Sequence, residues 1–225
     1  LGRNTDYNHS LNVRYNWPIG KIPGLDWVSV ATTYGTTFTW QTEALSTLND
    51  PSINLGNTIQ NSRTIQVNPT LNFISFYNKF GAIRRMLNNR DTVFKFSNFM
   101  VGLLTSIKNV NVAFTQTKGT FLPGYLPKTK FFGIDDATGA PGLGFVFGSQ
   151  RDIRLMAVNN GWITTDPNQV QLYVNTLRED FQLTSTIEPL KDLKVTLTAA
   201  KNRTLNYSTN FKYDLPSGGF TNFSP

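Results

Sequence analysis

An alternation of apolar and polar residues, held in one phase over more than twenty positions, is the feature that most constrains this fold. The segment 192–214 reads DLKVTLTAAKNRTLNYSTNFKYD; the apolar residues occupy its odd positions, and Lys, Thr, Asn and Ser fill most of its even ones. Successive side chains of a β-strand point to opposite faces, so the pattern predicts one long strand with an apolar and a wet face. Ordinary strands have about 5–6 residues, so a strand of this length needs an unusual setting.

Five further segments repeat the alternation, and each matches the period of two of a half-buried strand. The six predicted strands are 7–17, 27–43, 59–73, 109–117, 179–188 and 192–213. In the second strand, one predicted face carries Val28, Val30, Tyr34 and Phe38, and the other carries Ser29, Thr33, Gly35 and Thr37. Pro69 lies in mid-strand, where it lacks a backbone donor, so we expect a bulge or a break there.

The connections between the strands differ in length. Those at 18–25 and 188–192 are short, whereas 44–58 and 118–176 are longer and rich in turn residues. In the third connection, apolar residues at three- and four-residue spacing predict an amphipathic helix over Ser97–Lys108. The segment 118–176 carries too much apolar surface for a disordered tail, so we expect an ordered loop that buries its aromatic residues, Phe131 and Phe132 among them.

Long and short connections on alternate sides are typical of outer-membrane β-barrels, which have long extracellular loops and short periplasmic turns. Aromatic residues near the predicted strand ends, such as Trp17, Trp27 and Trp40, fit the aromatic girdles of such a barrel. The alternative is a soluble β-sandwich, in which the apolar face meets a second sheet. The strand lengths favour the barrel. Six strands do not close a lipid-facing barrel, since the smallest have about eight, so we expect a contiguous part of a larger one.

Composition narrows the functional classes. No segment approaches the roughly 20 apolar residues of a membrane-spanning helix, and the absence of cysteine excludes disulfides and thiolate metal sites. The net charge is +7, but basic residues cluster only in 83–90, which we interpret as a solvated turn or a contact with lipid headgroups. The single histidine, His9, is predicted to be an ordinary strand residue, and Asp135 and Asp136 to be solvated. We predict no catalytic, metal or cofactor site and no nucleic-acid partner.

Two motifs go beyond periodicity. The segments 108–127, KNVNVAFTQTKGTFLPGYLP, and 140–153, APGLGFVFGSQRDI, closely resemble the SprA/Sov family, the outer-membrane translocon of the bacterial type 9 secretion system. Segments 55–73 and 186–199 resemble the same family, so the resemblance covers essentially the whole chain. The positions that carry the loop motif are Gly119, Leu122, Pro123, Gly124, Tyr125, Pro127, Pro141, Gly142, Phe145, Phe147 and Gly148.

The resemblance implies an all-β fold, a slice of a very large antiparallel transmembrane β-barrel of about 36 strands, with a short periplasmic helix and one long extracellular or lumen-facing loop. It implies a protein-conducting channel for folded cargo, without enzymatic chemistry. The implied partners are outer-membrane lipid, secreted cargo, a smaller outer-membrane barrel at a lateral opening, and a periplasmic plug. Val28, Val30, Tyr34 and Phe38 would then face lipid, and Ser29, Thr33, Gly35 and Thr37 the lumen. The alternatives are a slice of another outer-membrane transporter and a soluble binding sandwich.

Overall fold

A computed structural model describes residues 4–44, 52–88, 102, 105–190 and 193–221 of the 225-residue chain. Six long strands form one antiparallel sheet in chain order. They are β1 (Asp6–Trp17), β2 (Val28–Gln41), β3 (Asn57–Asn72), β4 (Ile107–Tyr125), β5 (Leu172–Leu190) and β6 (Leu193–Asn210). A two-stranded hairpin, β7 (Tyr213–Asp214) with β8 (Gly219–Phe220), follows. The predicted all-β, antiparallel character is confirmed.

The strand order places the connections on alternate ends of the sheet. We call the end with the β1–β2, β3–β4 and β5–β6 connections the turn end. The end with the β2–β3 and β4–β5 connections is the loop end. At the loop end, residues 126–171 join β4 to β5 and form an ordered loop, called here the long loop. Its boundaries differ from the predicted 118–176 because β4 and β5 continue well past the predicted strand ends.

Short helices occupy the connections. At the turn end lie α1 (Phe73–Tyr77) and α2 (Gly81–Asn88), and in the long loop lie α3 (Leu143–Val146) and α4 (Arg154–Asn159). Helix α1 begins where the Asn72 side chain accepts a hydrogen bond from the Ser75 backbone N–H, which satisfies one of the free donors of a helix start. Most of the predicted helix Ser97–Lys108 lies outside the described residues. Its predicted end is wrong, because Ile107 and Lys108 belong to β4.

Two other local predictions are corrected. The basic segment 83–90 is not a turn as far as it is described, because its residues up to Asn88 belong to helix α2; the contact with lipid headgroups stays a prediction. Apolar residues three and four positions apart in that segment give the helical period. Pro69 causes no bulge, since the β2–β3 register runs unshifted from Val28–Leu71 through Val30–Pro69, but the pairing with β4 is interrupted at Asn68 and Pro69 and resumes at Thr70 in the same register. The ladder bonds of the residues on either side hold the strand in place despite the missing proline donor.

The register assigns every strand residue to one of two faces. The face that carries Val28, Val30, Tyr34 and Phe38 is called the apolar face, and its partners across β3 are Leu71, Pro69, Ile65 and Asn61. The face that carries Ser29, Thr33, Gly35 and Thr37 is called the polar face. The predicted division of β2 into these two sets is confirmed by the pairing.

The long loop folds back onto the apolar face at the loop end, where the core forms. Sheet residues contribute one side of this core and loop residues the other, namely Phe38, Trp40, Ile59, Leu122, Tyr125 and Tyr173 from the sheet, and Ala140, Phe145, Val146, Ile153, Ala157, Trp162 and Ile163 from the loop. Among the described residues, the molecule therefore has two layers at the loop end and a single layer in the turn-end half of the sheet.

Candidate functional site

The polar face is a continuous surface of small hydroxyl and amide side chains. Thr33, Gly35 and Thr37 of β2 face Arg14, Asn12 and Ser10 of β1 across the ladder. Further along the sheet, the Thr64 and Thr117 hydroxyls lie 3.1 Å apart and share a hydrogen bond. Large apolar side chains interrupt this face only near the loop end, where Phe121 pairs with Val174.

The turn-end half of the apolar face carries a band of apolar side chains, called here the apolar band. Its members run across all six strands and comprise Val13, Tyr15, Trp17, Val28, Val30, Ile65, Val67, Leu71, Val110, Val112, Phe114, Phe181, Leu183, Ile187, Leu193, Val195 and Leu197. On the outer strands they are open to the surroundings; Trp17 is 51% exposed and Leu197 is 53% exposed. Polar members are few, and one of them, Thr32, accepts a hydrogen bond from the Trp17 indole.

The apolar band runs obliquely across the strands. By way of Val30, Pro69, Val112 and Leu183, the register connects Trp17 at the end of β1 to Ala199 on β6. Strand β6 begins at Leu193, which is six residues further toward the turn end (199 − 193). Over five strand-to-strand steps, the border of the band therefore moves by about 1.2 residues per strand, or roughly 4 Å.

The loop end of the apolar face is covered by the long loop. Phe38 is completely buried, with the Phe145 ring 6.2 Å away, centroid to centroid, and edge-on. The Tyr34 hydroxyl donates to the Phe147 carbonyl at 2.5 Å. The prediction that Phe38 faces lipid is therefore wrong, because the loop occupies that position. Val28 and Val30 lie outside the covered area, in the apolar band.

A buried amide connects the sheet to the loop. Asn61 of β3 is fully buried, and its Nδ2 donates to the carbonyl oxygens of Phe145 at 2.8 Å and Ser149 at 2.9 Å. Its Oδ1 accepts from Gln150 Nε2 at 2.9 Å. The Gln150 Oε1 in turn accepts from the Thr120 hydroxyl of β4 at 3.1 Å. These bonds satisfy a polar side chain that would otherwise be costly to bury.

Two glycines allow the loop to lie close to the sheet. Gly148 has φ +88°, and a Cβ there would lie 2.6 Å from the Thr36 hydroxyl oxygen. Gly133 has φ +79°, and a Cβ there would lie 2.8 Å from the Phe38 ring. Both positions need the left-handed backbone region and the absence of a side chain. The predicted motif glycine Gly148 is thus part of the contact between loop and sheet.

The far side of the loop is attached through a buried arginine. Arg154 is only 4% exposed, and its guanidinium lies 4.4 Å from the Tyr173 ring centroid and 5.8 Å from that of Phe211. Asp152 accepts from both Nε and Nη2 of Arg154, the latter at 2.7 Å. Burial alone would raise the pKa of Asp152, but the hydrogen bonds and charge of Arg154 outweigh it and lower that pKa.

The structure separates the predicted loop motif into two parts. Gly119, Leu122, Pro123, Gly124 and Tyr125 belong to β4, not to the loop. The Pro127 carbonyl accepts a hydrogen bond from the Trp40 indole, and Pro141 is buried. Gly142 is the N-cap of α3, Phe145 lies within that helix, and Phe147 and Gly148 follow it. The loop buries Phe145, as predicted. Phe131 and Phe132 are 77% and 60% exposed, so the prediction that they would be buried is wrong.

The ionisable residues singled out in the sequence lie apart from one another. His9 is a β1 residue whose ring lies among those of Tyr7, Phe38 and Phe147. Asp135 accepts hydrogen bonds from Thr138 within its own turn, and Asp136 pairs with Lys130 at 3.0 Å. The described part of the chain brings no three metal-ligating side chains together. None of the described helices has the length and apolar character of a membrane-spanning helix.

Comparison with known proteins gives no assignment: no protein-family model and no curated protein sequence matches this chain. What the structure defines is an antiparallel sheet with one polar face, one apolar face and a loop docked on part of the latter. The SprA/Sov resemblance therefore remains a proposal.

The sequence analysis missed the polar residues on the apolar face, among them Asn61, Thr36 and Thr120. A signal was present in the sequence, because each interrupts an otherwise apolar set of alternate residues. All three lie where the loop docks and are buried there. At these three positions, polar interruptions in one phase of the alternation mark the place where the loop covers the strands.

Proposed function

We propose that this chain is a section of the wall of a very large outer-membrane β-barrel that conducts folded proteins to the cell surface, as the SprA/Sov resemblance implies. In this assignment the polar face lines an aqueous lumen, and the apolar band contacts lipid. The turn end is periplasmic and the loop end extracellular. The chain's role is that of a passive conduit and scaffold.

The observation that carries the proposal is the oblique apolar band on one face, opposite a small-residue polar face. Strands of a closed barrel tilt by about 35–45° from the barrel axis, so a level membrane border must cross them obliquely. A shift of roughly 4 Å per strand, against a spacing of about 4.8 Å between strands, corresponds to a tilt of about 40°. That value falls within the range for barrels.

Strand length is consistent with the same assignment. Strands β4 and β5 have 19 residues each, roughly 60 Å at about 3.3 Å per residue. At a tilt of about 40° they rise roughly 45–50 Å along the membrane normal, well above the apolar belt of about 25 Å in outer-membrane barrels. The excess lies at the loop end, where the long loop covers the apolar face. The loop would therefore lie outside the barrel, above the lipid.

Single-cysteine labelling of the full-length protein in its native outer membrane tests the assignment, since the described chain has no cysteine of its own. Val30→Cys should react with a membrane-confined maleimide, and Thr33→Cys, on the polar face, should react with a water-soluble one. Preferential reaction of Thr33→Cys with the membrane-confined reagent would reverse the faces. A protein that stays monomeric and soluble without detergent would instead be the soluble sandwich.

Pore size separates the translocon from another transporter barrel. A lumen that admits a folded protein needs many strands, because barrel diameter grows with strand number. Reconstituted full-length protein should therefore pass polymers as wide as a small folded domain once any plug is removed. Exclusion of all but small solutes would favour a nutrient-uptake or lipid-transport barrel.

A further inference from the structure

Four basic residues lie on the apolar face between the apolar band and the docked loop. They are Arg63 of β3, Lys118 of β4, and Lys201 and Arg203 of β6, and we call them the basic belt. Arg63 and Lys118 are direct partners across the β3–β4 ladder. On the loop side, a Cβ on Gly148 would lie 3.2 Å from the Arg63 Cβ. On the other side the next row is Ile65, a member of the apolar band, with Gln116, and the row after it is Val67 with Phe114.

The basic belt lacks counter-charge where it is most concentrated. The one acidic residue among the belt positions is Glu179, and it lies 3.6 Å from Arg203 and accepts a hydrogen bond from Gln116 at 2.8 Å. In the described part of the chain, neither Arg63 nor Lys118 has a carboxylate within 4 Å. Like charges directly opposite each other on neighbouring strands destabilise a sheet. An anion bound between Arg63 and Lys118 would remove that repulsion.

The belt follows the same slope as the apolar band. In register with Arg63 and Lys118, β5 has Leu177 and β6 has Leu205. Lys201 lies four residues beyond Leu205 toward the turn end (205 − 201), three strands away from Arg63. At about 1.2 residues per strand, the slope of the band predicts roughly 3.6 residues over three strands. The belt is therefore parallel to the border of the band at the turn end, and it lies next to the band on the loop side.

We propose that the basic belt binds the phosphate groups of a lipid in the outer leaflet, a phosphorylated glycolipid of the lipid A type, whose acyl chains lie on the apolar band. This inference rests on the proposed function, which places the loop end outside the cell. Arginine matches phosphate oxygens with two parallel donors, and lysine adds a point charge. The long stems of both side chains lie along apolar surface and carry their charge to the membrane border.

The test uses purified full-length protein in a neutral detergent and follows the midpoint of heat denaturation. Three additives are compared: bisphosphorylated lipid A, the same lipid with its phosphates removed, and inorganic phosphate. The variant is Arg63→Gln/Lys118→Gln. The matched control is Arg14→Gln/Lys194→Gln, which removes the same charge from the polar face. We expect bisphosphorylated lipid A alone to raise the midpoint, by several degrees, in the wild type and in the control, and to raise it much less in the belt variant.

Each other outcome overturns the inference. An equal rise with dephosphorylated lipid would mean that the acyl chains alone are recognised. An equal rise with inorganic phosphate would mean a free-anion site, and no rise in the wild type would mean no site. If the belt variant does not fold, the comparison of the three additives with the wild type still tests whether the lipid phosphates are recognised. A protein that needs no detergent would overturn the proposed function itself. If the protein needs detergent but lipid A does not stabilise the wild type, only the proposed lipid site at the basic belt is overturned.

Discussion

Gln150 in the long loop donates from its Nε2 to the Oδ1 of Asn61 in strand β3 at 2.9 Å, a bond between residues 89 positions apart in the chain. Asn61 in turn donates to two loop carbonyls. A fully buried amide thus has its donors and its acceptor engaged by the loop. The loop position is set by directional bonds as well as by apolar packing.

Asn61→Ala should therefore loosen the loop. The change removes three hydrogen bonds between sheet and loop at a buried site, at a cost of roughly 3 kcal/mol. Cleavage of a transiently opened segment follows the population of the open form, so tryptic cleavage at the exposed Arg151 should rise about 100-fold. Gln60→Ala, one residue away on the polar face, is the control and should leave the rate unchanged. An unchanged rate in Asn61→Ala would show that apolar packing alone holds the loop.

Gly148→Ala should displace the loop through both strain and collision. Two other loop glycines separate the causes. Gly142 also has a positive φ, +92°, but a Cβ there meets nothing within 4 Å, and Gly144 has an ordinary φ and a nearest neighbour at 3.7 Å. We expect loop cleavage to increase most for Gly148→Ala, moderately for Gly142→Ala, and not for Gly144→Ala. Equal effects at Gly148 and Gly142 would exclude the contact with Thr36 as the cause.

The two members of the Asp152–Arg154 pair should respond differently to replacement. Asp152→Asn removes a negative charge from beside a guanidinium that is 4% exposed, whereas Arg154→Met removes the partner of a carboxylate that is 46% exposed and hydrated by water. Removing the partner of a buried charge is the costlier change. We expect Asp152→Asn to destabilise the docked loop by roughly 1–3 kcal/mol, and Arg154→Met by less, as judged by protease protection. The reverse order would contradict the buried-charge argument.

The same pair predicts a dependence on acid. The pKa of Asp152 is lowered in the folded protein, so its contribution to stability is fully present above the unfolded value of about 3.9. That contribution is lost as the pH falls below about 4 through the folded-state pKa. Pepsin should therefore cleave the wild-type loop increasingly below pH 4. The wild type should lose more protection over this range than Asp152→Asn does; parallel losses would assign the acid sensitivity to other carboxylates.

Val30→Arg tests the lipid contact of the apolar band energetically. An arginine on the lipid face of an outer-membrane barrel costs about 2–4 kcal/mol at the bilayer midplane and about 0–1 kcal/mol near the interfaces; Val30 pairs with Trp17 near the turn-end border of the band, so we expect a cost between these values. Ala31→Arg, the adjacent residue on the polar face, places the same charge in water and is the matched control. Folding of each variant into lipid vesicles, titrated with urea, should show destabilisation only for Val30→Arg. Equal stability of the two variants would remove the lipid assignment of this face.

The six strands and their faces were predictable because the period of two is local information. Both ends of β1 and β2 lie within two residues of prediction. The errors lie where β4 passes through Gly119, Pro123 and Gly124, residue types that are usual in loops. In the structure Gly119 and Pro123 stay in the ladder with β3 and Gly124 is skipped at an irregularity before Tyr125, because pairing with β3 overrides the local preference.

The docking of the loop was not predictable from the alternation. A period of two shows which residues share a face, but it does not show which face a loop returns to. Phe38 belongs to the same phase as Val30, yet one is under the loop and the other in the apolar band. The distinction comes from contacts such as Asn61 with Ser149, 88 positions apart, which no local pattern contains.

The long loop packs on the apolar face of the sheet, and this affects how the sheet resists bending. In the proposed barrel, lipid against the apolar band would give lateral support to a sheet that is one layer thick. Above the lipid that support ends, and Phe38, Ile59 and Leu122 would face water. At that height the docked loop adds a second layer to the sheet, and it lies on the face opposite to the polar face that carries Thr33 and Thr37. In the proposed barrel, the second layer would therefore lie on the outside and would not narrow the lumen.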